Sequence, residues 1–335
     1  MSVHDLSGEG DVLDRVGRIA RRAVAQHGWP DSASVELLNL SENATYLIEH
    51  PSRGKAVLRV HRLGYHSRLE IESELAWMDA LRDEAGIRTP KVLAASDGSI
   101  VVALRDERLE EERFCVMFEH LPGREPLEHD LESFDRLGEI TATMHRHARS
   151  WEMPGEFRRF QWDYDAAFGD TARWGRWQEG VGVGPSEVSI LSRLDETLHR
   201  RLAAFGTGHE RYGLIHADTR LANLLLDDSD GSVSVIDFDD CGFSWYLYDL
   251  ATAFSFFEHR PHVPELIDIW LTGYRRLLEL PAAEEAEIWT FILFRRLLLV
   301  AWIGSHGAVE VARELGVGYT GETCDLAERY LSDFA

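Results

Sequence analysis

Cysteine is scarce in this chain of 335 residues. Its three cysteines, Cys115, Cys241 and Cys324, are odd in number and far apart. Disulfide-stapled domains and cysteine-rich zinc sites need more cysteines at closer spacing. The pattern therefore excludes both, and a reducing cytoplasm is the location that it fits best.

Positive charge is also scarce. The chain has 35 basic and 58 acidic residues, which gives a net charge of −23. A field of this sign disfavours binding of nucleic acid or of an anionic membrane surface. It favours a cationic or amine-bearing substrate, although a purely solubilising role for the charge stays open.

The chain shows neither a signal peptide nor an uninterrupted membrane span. Residues 1–11 are polar and acidic, without a basic segment followed by an apolar one. The most hydrophobic stretch, 288–303, is interrupted by Arg295 and Arg296. We therefore expect a buried amphipathic helix there, and no membrane partner.

The first third of the chain has the pattern of a small antiparallel sheet. A helical periodicity over 11–27 is followed by short strand-like runs, and a second helical pattern lies after the third run. An Asp-Gly pair at 97–98 predicts a hairpin turn between the fourth and fifth runs. The runs are 34–40, 44–49, 56–61, 91–95, 99–104 and 114–119, and the inserted helix is 69–81.

The remainder of the chain is predicted to be mainly helical. The helical patterns cover 132–149, 186–205, 246–258, 263–278, 282–305 and 324–334. The length is too great for one ordinary core. We predict an α+β fold with two lobes, an N-terminal lobe at 1–119 and a helical C-terminal lobe at 120–335.

Polar side chains cluster beside apolar β-type runs between residues 212 and 254. Asp218 could accept the proton of a substrate hydroxyl and aim its oxygen at a phosphate. Asp237 offers the hard oxygen ligand that Mg²⁺ prefers, and Asn223 adds a neutral oxygen. We expect His216 to bond the backbone around the loop and Asp249 to brace it, with a substrate contact as the alternative for Asp249. The pattern predicts a phosphoryl-transfer centre.

The motif that carries this centre has a known counterpart. Residues 216–223 read His-Ala-Asp-x-x-x-x-Asn, and 236–238 read Ile-Asp-Phe. They resemble the catalytic loop and metal-binding strand of the protein-kinase-like superfamily. Ala217, Asp239 and the Tyr-Asp-Leu-Ala segment at 248–251 are closer to the aminoglycoside phosphotransferase and choline kinase branch. The resemblance implies a protein-kinase-like two-lobe fold and the use of Mg²⁺ and ATP, with GTP possible.

The same resemblance implies nucleotide-binding residues in the first lobe. Arg59 occupies the position of the usual phosphate-binding lysine, with Glu74 as its expected partner and Glu70 as a rival. A plain surface salt bridge of Arg59 is the alternative. Ser41, in a glycine-poor loop, is expected to contact phosphate. The hinge should offer backbone groups of Glu119 and Leu121 to the base, with Met117 behind it.

Acceptor-binding residues are predicted just after the metal aspartate. Asp239 and Asp240, followed by Trp245 and Tyr246, would make an acidic pocket with an aromatic wall for an ammonium group. The alternative is that the aromatic residues belong to the core of the lobe.

The function predicted from the sequence is ATP-dependent phosphorylation of a hydroxyl on an amine-bearing compound. The candidates are an aminoglycoside or other antibiotic, choline or ethanolamine, homoserine and hydroxylysine. A protein serine/threonine kinase of the same branch is an alternative. Another is a metal-dependent hydrolase that uses the pairs His145/His147 and His216/Asp218. A third is a catalytically inactive ligand-binding relative. The oligomeric state is left open.

Overall fold

The structure is a computed structural model that describes residues 7–40, 42–106, 111–307 and 309–334. The chain forms two compact units. The first comprises Met1–Asp79, Thr89–Pro122 and Pro154–Arg158, and the second comprises Ala80–Arg88, Gly123–Met153 and Arg159–Ala335. The predicted division after residue 119 lies near the end of the Thr89–Pro122 segment. The sequence did not predict that residues 80–88 belong to the second unit or that residues 154–158 belong to the first.

The first unit is built on an antiparallel sheet. Its strands are β1 (Ser34–Leu40), β2 (Ala44–His50), β3 (Gly54–Val60), β4 (Val92–Leu93), β5 (Val102–Asp106) and β6 (Glu111–Glu119), and its helices are α1 (Ser7–Gln26) and the start of α2 (Arg68–Ala85). The strand order is β1-β2-β3-β6-β4, and β5 also pairs with β6. The predicted sheet with one inserted helix is confirmed. The Asp97-Gly98 turn is present, but β4 and β5 each pair with β6 rather than with one another.

The two faces of this sheet have different roles. Leu58 and its cross-strand partner Met117 lie in the core cluster that includes residues of α1. Successive side chains of a strand point to opposite faces. Arg59 and its partner Val116 therefore lie on the other face, where Arg59 contacts α2.

The second unit is mainly helical, as predicted. Its helices are α3 (Leu131–Ser150), α4 (Tyr164–Phe168), α5 (Pro185–Phe205), α6 (Tyr246–Ala253), α7 (Val263–Tyr274), α8 (Ala282–Glu285), α9 (Ile288–Ser305) and α10 (Glu310–Phe334). Its strands are β7 (Phe160–Gln161), β8 (Tyr212–Ile215), β9 (Leu224–Asp227), β10 (Ser232–Val235) and β11 (Gly242–Trp245). Strand β11 lies between β7 and β8, and β9 pairs with β10.

Helix α9 lies in the core of the second unit. It packs against α5, α6 and α10, and its side chains are buried on every side from Thr290 to Ile303. The expectation of an amphipathic helix is therefore wrong, because a helix that is apolar all round belongs in a core. In the described part of the chain, 282–305 is the one helical stretch long and apolar enough to cross a membrane. Its most apolar 18-residue window has a mean hydropathy of 1.5, and 83% of that window is buried inside the protein.

Candidate active site

The hairpin of β9 and β10 brings the two predicted metal ligands to one end. Leu224 on β9 pairs with Val235 on β10, so the residues just outside the ladder, Asn223 and Ile236, are neighbours. The backbone N–H of Ile236 donates to the carbonyl of Asn223 at 2.9 Å. Asn223 ends a short 3-10 helix (Leu221–Asn223), and Asp237 follows Ile236 directly. The local fold therefore places Asn223 and Asp237 at the same end of the hairpin.

Three donors hold the carboxylate of Asp218. Its Oδ1 accepts a hydrogen bond from Nη2 of Arg295 at 2.7 Å. Its Oδ2 accepts from Nδ2 of Asn223 at 2.7 Å and from Nε of Arg220 at 3.2 Å. Both oxygens are therefore anchored, and the half-buried carboxylate is held in one orientation.

These charges also set the ionisation of Asp218. Burial would raise the pKa of its carboxyl, but the positive charges of Arg220 and Arg295 outweigh burial and hold the pKa below its usual range. Asp218 is therefore an ionised hydrogen-bond acceptor at neutral pH.

The predicted metal ligands have the right donor chemistry. The amide nitrogen of Asn223 donates to the backbone oxygen of Asp218 at 2.8 Å as well as to its carboxylate, which leaves the amide oxygen as its ligand atom. Asp237 is exposed and adopts a left-handed φ of 60°, a conformation that aspartate tolerates better than most residues. An amide oxygen and an exposed carboxylate are hard ligands that fit a divalent cation.

His216 is structural, as expected. It is fully buried, and its Nε2–H donates to the carbonyl of Ile236 at 3.1 Å. Its Nδ1 accepts the backbone N–H of Asp218 at 3.2 Å. The imidazole therefore ties the catalytic loop to the end of β10.

Asp249 braces the same loop from the first turn of α6. Its Oδ1 accepts the backbone N–H of Ala217 at 2.7 Å, and its Oδ2 accepts that of His216 at 3.2 Å. Ala217 has a left-handed φ of 66°, which is strained for a residue with a Cβ. The hydrogen bonds to a fully buried carboxylate offset this strain. The expectation that Asp249 braces the loop is confirmed.

The metal-hydrolase hypothesis is wrong. Nε2 of His145 donates to Asp249 at 3.0 Å, and its Nδ1 accepts the hydroxyl hydrogen of Tyr274 at 3.0 Å. Burial lowers the pKa of His145, so the ring stays neutral. Nε2 of His147 contacts a glutamate of α2 instead. Because both ring nitrogens of His145 and His216 already have protein partners, these histidines are not available as metal ligands.

In the first unit, Arg59 and Glu74 form a buried ion pair. Nη1 of Arg59 lies 2.6 Å from Oε1 of Glu74, and the guanidinium stacks over Phe118 with 5.2 Å to the ring centre. The prediction of Glu74 as the partner is confirmed, and the surface salt bridge is excluded by the burial of both residues. The rival Glu70 instead accepts hydrogen bonds from Ser67 at the start of α2.

The other residues predicted to contact the nucleotide lie in different environments. Ser41 lies outside the described residues. The side chain of Met117 is buried on the α1 face, opposite Arg59, because strand alternation gives the face of Arg59 to Val116. Met117 is therefore not placed to line a pocket on the Arg59 face. Glu119 donates its backbone N–H to the carbonyl of Lys91 at 2.8 Å, and its side-chain Oε1 accepts the backbone N–H of Lys91 at 3.0 Å. The side chain of Leu121 is half-buried.

The two aromatic residues predicted to contact the acceptor are core residues. Trp245 is 3% exposed, donates its indole N–H to the carbonyl of Gly206 and packs against Phe291 and Phe294. Tyr246 is 4% exposed and packs on the buried ring of His145. Their burial does not fit an aromatic wall for a substrate. The alternative, that they belong to the core, is the one that the structure supports.

Asp239 and Asp240 are held through their backbone. The indole N–H of Trp162 donates to the carbonyl of Asp240 at 2.7 Å, and Arg159 donates to that of Asp239. Asp239 is buried and Asp240 half-buried, with carboxylate oxygens within 4.8 Å of one another. Two close carboxylates create a strongly negative spot two residues beyond Asp237.

Sequence reasoning did not assign Arg295 to the site. Its side chain is only 4% exposed, and it reaches Asp218 across 77 positions of sequence. The available signal was a charged residue inside an apolar helix, which requires a buried partner. In the sequence alone, that charge argues against a membrane span but does not identify Asp218 as its partner.

Three comparisons with known proteins all find similarity to phosphotransferases. The model of a family described as the phosphotransferase enzyme family matches residues 35–286. The solved structure of a microcompartment-associated aminopropanol kinase is 49% identical, with a TM-score of 0.88, over 94% of this chain and 98% of that one.

Two amicoumacin kinases are more distant. The one from Bacillus subtilis (strain 168) is 24% identical over 84% of this chain and 83% of its own length. The structure of amicoumacin kinase hAmiN, in complex with AMP-PNP, Ca²⁺ and Ami, is 21% identical with a TM-score of 0.74, over 94% of this chain and 96% of that one.

Proposed function

We propose that the phosphate acceptor of this protein is the hydroxyl group of a short amino alcohol. The chain belongs to the phosphotransferase enzyme family and is a small-molecule kinase. The observation that carries the proposal is the likeness, over almost the whole chain, to an aminopropanol kinase. The negative charge of the protein and the paired Asp239 and Asp240 suit an ammonium-bearing acceptor.

Asp218 is the proposed base. Its carboxylate would accept a hydrogen bond from the acceptor hydroxyl and aim the oxygen at the γ-phosphorus of ATP. The new O–P bond forms as the bond from the γ-phosphorus to the bridging oxygen of ADP breaks, and the hydroxyl proton passes to Asp218. Because the transition state of phosphoryl transfer is loose, a well-placed carboxylate with a low pKa is adequate.

The amide oxygen of Asn223 and the carboxylate of Asp237 would hold Mg²⁺, which supplies charge neutralisation for the phosphates when it is bound. Asn223 has a second task, because its amide nitrogen holds the carboxylate of Asp218. This double use couples the position of the proposed base to that of the proposed metal ligand.

Arg59 is proposed to bind phosphate of the nucleotide. Its guanidinium is fixed by Glu74 and Phe118, and an arginine is always charged. We expect Arg59→Ala to lower kcat/KM for ATP roughly 10- to 100-fold, the equivalent of one lost charge-assisted hydrogen bond. Steady-state kinetics with varied ATP measures this effect.

Arg59→Lys is the matched control for that experiment. It keeps a positive charge beside the buried Glu74, so it should retain more stability and more activity than Arg59→Ala. If Arg59→Ala leaves both kcat and KM for ATP unchanged, Arg59 has only a structural role.

An acceptor panel tests the proposed function. We expect 1-amino-2-propanol to be phosphorylated with a kcat/KM about fivefold above that of propane-1,2-diol, since losing one ion-pair contact costs on the order of 1 kcal/mol. Choline, an aminoglycoside, amicoumacin and a serine-containing peptide complete the panel. A preference for the diol would contradict ammonium recognition. A preference for the peptide would favour a protein kinase.

A further inference from the structure

Two consecutive arginines of α9 lie in the core of the second unit, and they have different partners. Arg296 is fully buried and forms an ion pair with Glu258, which is also buried. Neighbouring residues on a helix point about 100° apart. Arg295 consequently points in another direction, toward Asp218.

The burial of Arg295 needs an explanation of its own. Within the described part of the chain, Asp218 is the one carboxylate with which it forms an ion pair. An arginine keeps its charge in a core, and removing that charge from water is costly. Replacing a buried ion pair with apolar side chains is often neutral or stabilising, so stability alone does not account for this charge. The charge is therefore explained by what it does to Asp218.

Arg295 is itself held rigidly. Its Nη1 donates to the hydroxyl of Tyr248 at 3.0 Å, and its Nε donates to Oγ of Ser255 at 3.2 Å. Its guanidinium lies 5.4 Å from the ring centre of Trp174. Nη2 remains for Asp218, so the donor is fixed before any substrate arrives.

We infer that Arg295 is a positioning residue for the proposed base. Asn223 and Arg220 hold Oδ2 of Asp218, and Arg295 holds Oδ1 from a rigid helix. Contacts at Oδ2 alone would restrain the carboxylate from one side only. The contact at Oδ1 restrains it from the other side as well, so that its remaining lone pair is held in one direction. This inference rests on the proposed function.

The kinetic test compares Arg295→Met with wild type. We expect kcat for 1-amino-2-propanol to fall about 100-fold, the cost of a misplaced catalytic group, while KM for ATP stays unchanged. Stability should fall only modestly, because Asp218 is partly exposed and keeps its hydrogen bonds from Asn223 and Arg220. Arg295→Lys, which keeps the charge but not the fork, should recover part of kcat.

The neighbouring residue supplies the matched control. Arg296→Met leaves Glu258 buried without its arginine, so stability should fall while kcat of the folded enzyme stays at the wild-type value. If Arg295→Met behaves like Arg296→Met, with lower stability and normal kcat, Arg295 is merely structural and the inference is overturned. If Arg295→Met does not fold, Arg295→Gln takes its place with the same expected results.

A crystal structure of Arg295→Met separates this inference from the proposed function. We expect the carboxylate of Asp218 to be turned from its wild-type position or to occupy more than one. If it keeps the wild-type position, positioning by Arg295 is refuted whether or not the enzyme phosphorylates an amino alcohol. If wild type phosphorylates no acceptor while the carboxylate moves in the variant, the proposed function fails and the positioning role stands.

Discussion

Asp218→Asn should lower kcat for phosphoryl transfer about 10²- to 10⁴-fold, the range in which a positioned general base contributes. Asparagine has the same shape, and its amide oxygen can still accept the hydrogen bond of Arg295, but it does not take up the hydroxyl proton. A coupled assay for ADP release with saturating 1-amino-2-propanol measures the effect. Stabilisation of the variant by Mg·ATP in thermal unfolding should match that of wild type.

A second aspartate controls for the loss of one negative charge. Asp228 is exposed and pairs with Arg124 on the surface, so Asp228→Asn should leave kcat unchanged. If Asp218→Asn and Asp228→Asn have equal kcat values, Asp218 is not the base.

Glu258→Ala should lower the free energy of unfolding by about 3–5 kcal/mol, because breaking a buried ion pair leaves an uncompensated charge. Glu258 and Arg296 are both essentially inaccessible to water, and Arg296 does not lose its proton. Urea denaturation measures the change from the midpoint and the slope of the transition.

A surface pair provides the comparison for Glu258→Ala. Glu128 pairs with Arg260 at 2.7 Å, with both side chains partly exposed, so Glu128→Ala should cost only about 0–1 kcal/mol. The double variant Glu258→Ala/Arg296→Met should regain part of the lost stability. A loss in Glu258→Ala as small as that in Glu128→Ala would contradict the buried-pair explanation.

The family and the fold class were predictable from a short stretch of sequence. The motif between His216 and Asp237 begins directly after β8 and lies on one loop, a short 3-10 helix and one hairpin, so its geometry is local. The resemblance drawn from it is confirmed by the family match and by the solved relatives. The roles of His216 and Asp249 in holding the loop followed from the same local reasoning.

The surroundings of the site were less predictable because they depend on long-range packing. Trp245 was expected at the substrate but is covered by Phe291 and Phe294 of α9, about fifty residues later. Arg295, from the same helix, completes the shell of Asp218. The hydrophobic periodicity of α9 does not indicate which of its faces contacts Trp245 or Asp218, since the helix is buried on every side.

Local helix propensity explains two further differences. Helix α10 was predicted from residue 324 but begins at Glu310. The sequence does not indicate its first part as helical, because the glycines at 316, 318 and 321 are poor helix formers. Gly316 has a φ of 47° and breaks the regular helical geometry. The stretch 282–305, predicted as one helix, forms α8 and α9 with an interruption at 286–287.

The most direct test is to identify the product that wild type makes from Mg·ATP and 1-amino-2-propanol, by ³¹P NMR and mass spectrometry. We expect a phosphomonoester on the hydroxyl oxygen, formed in equal amount to ADP, with the amine unmodified. The absence of a phosphorylated amino alcohol, or phosphate on its nitrogen, would contradict the assignment of this chain as an amino-alcohol O-kinase.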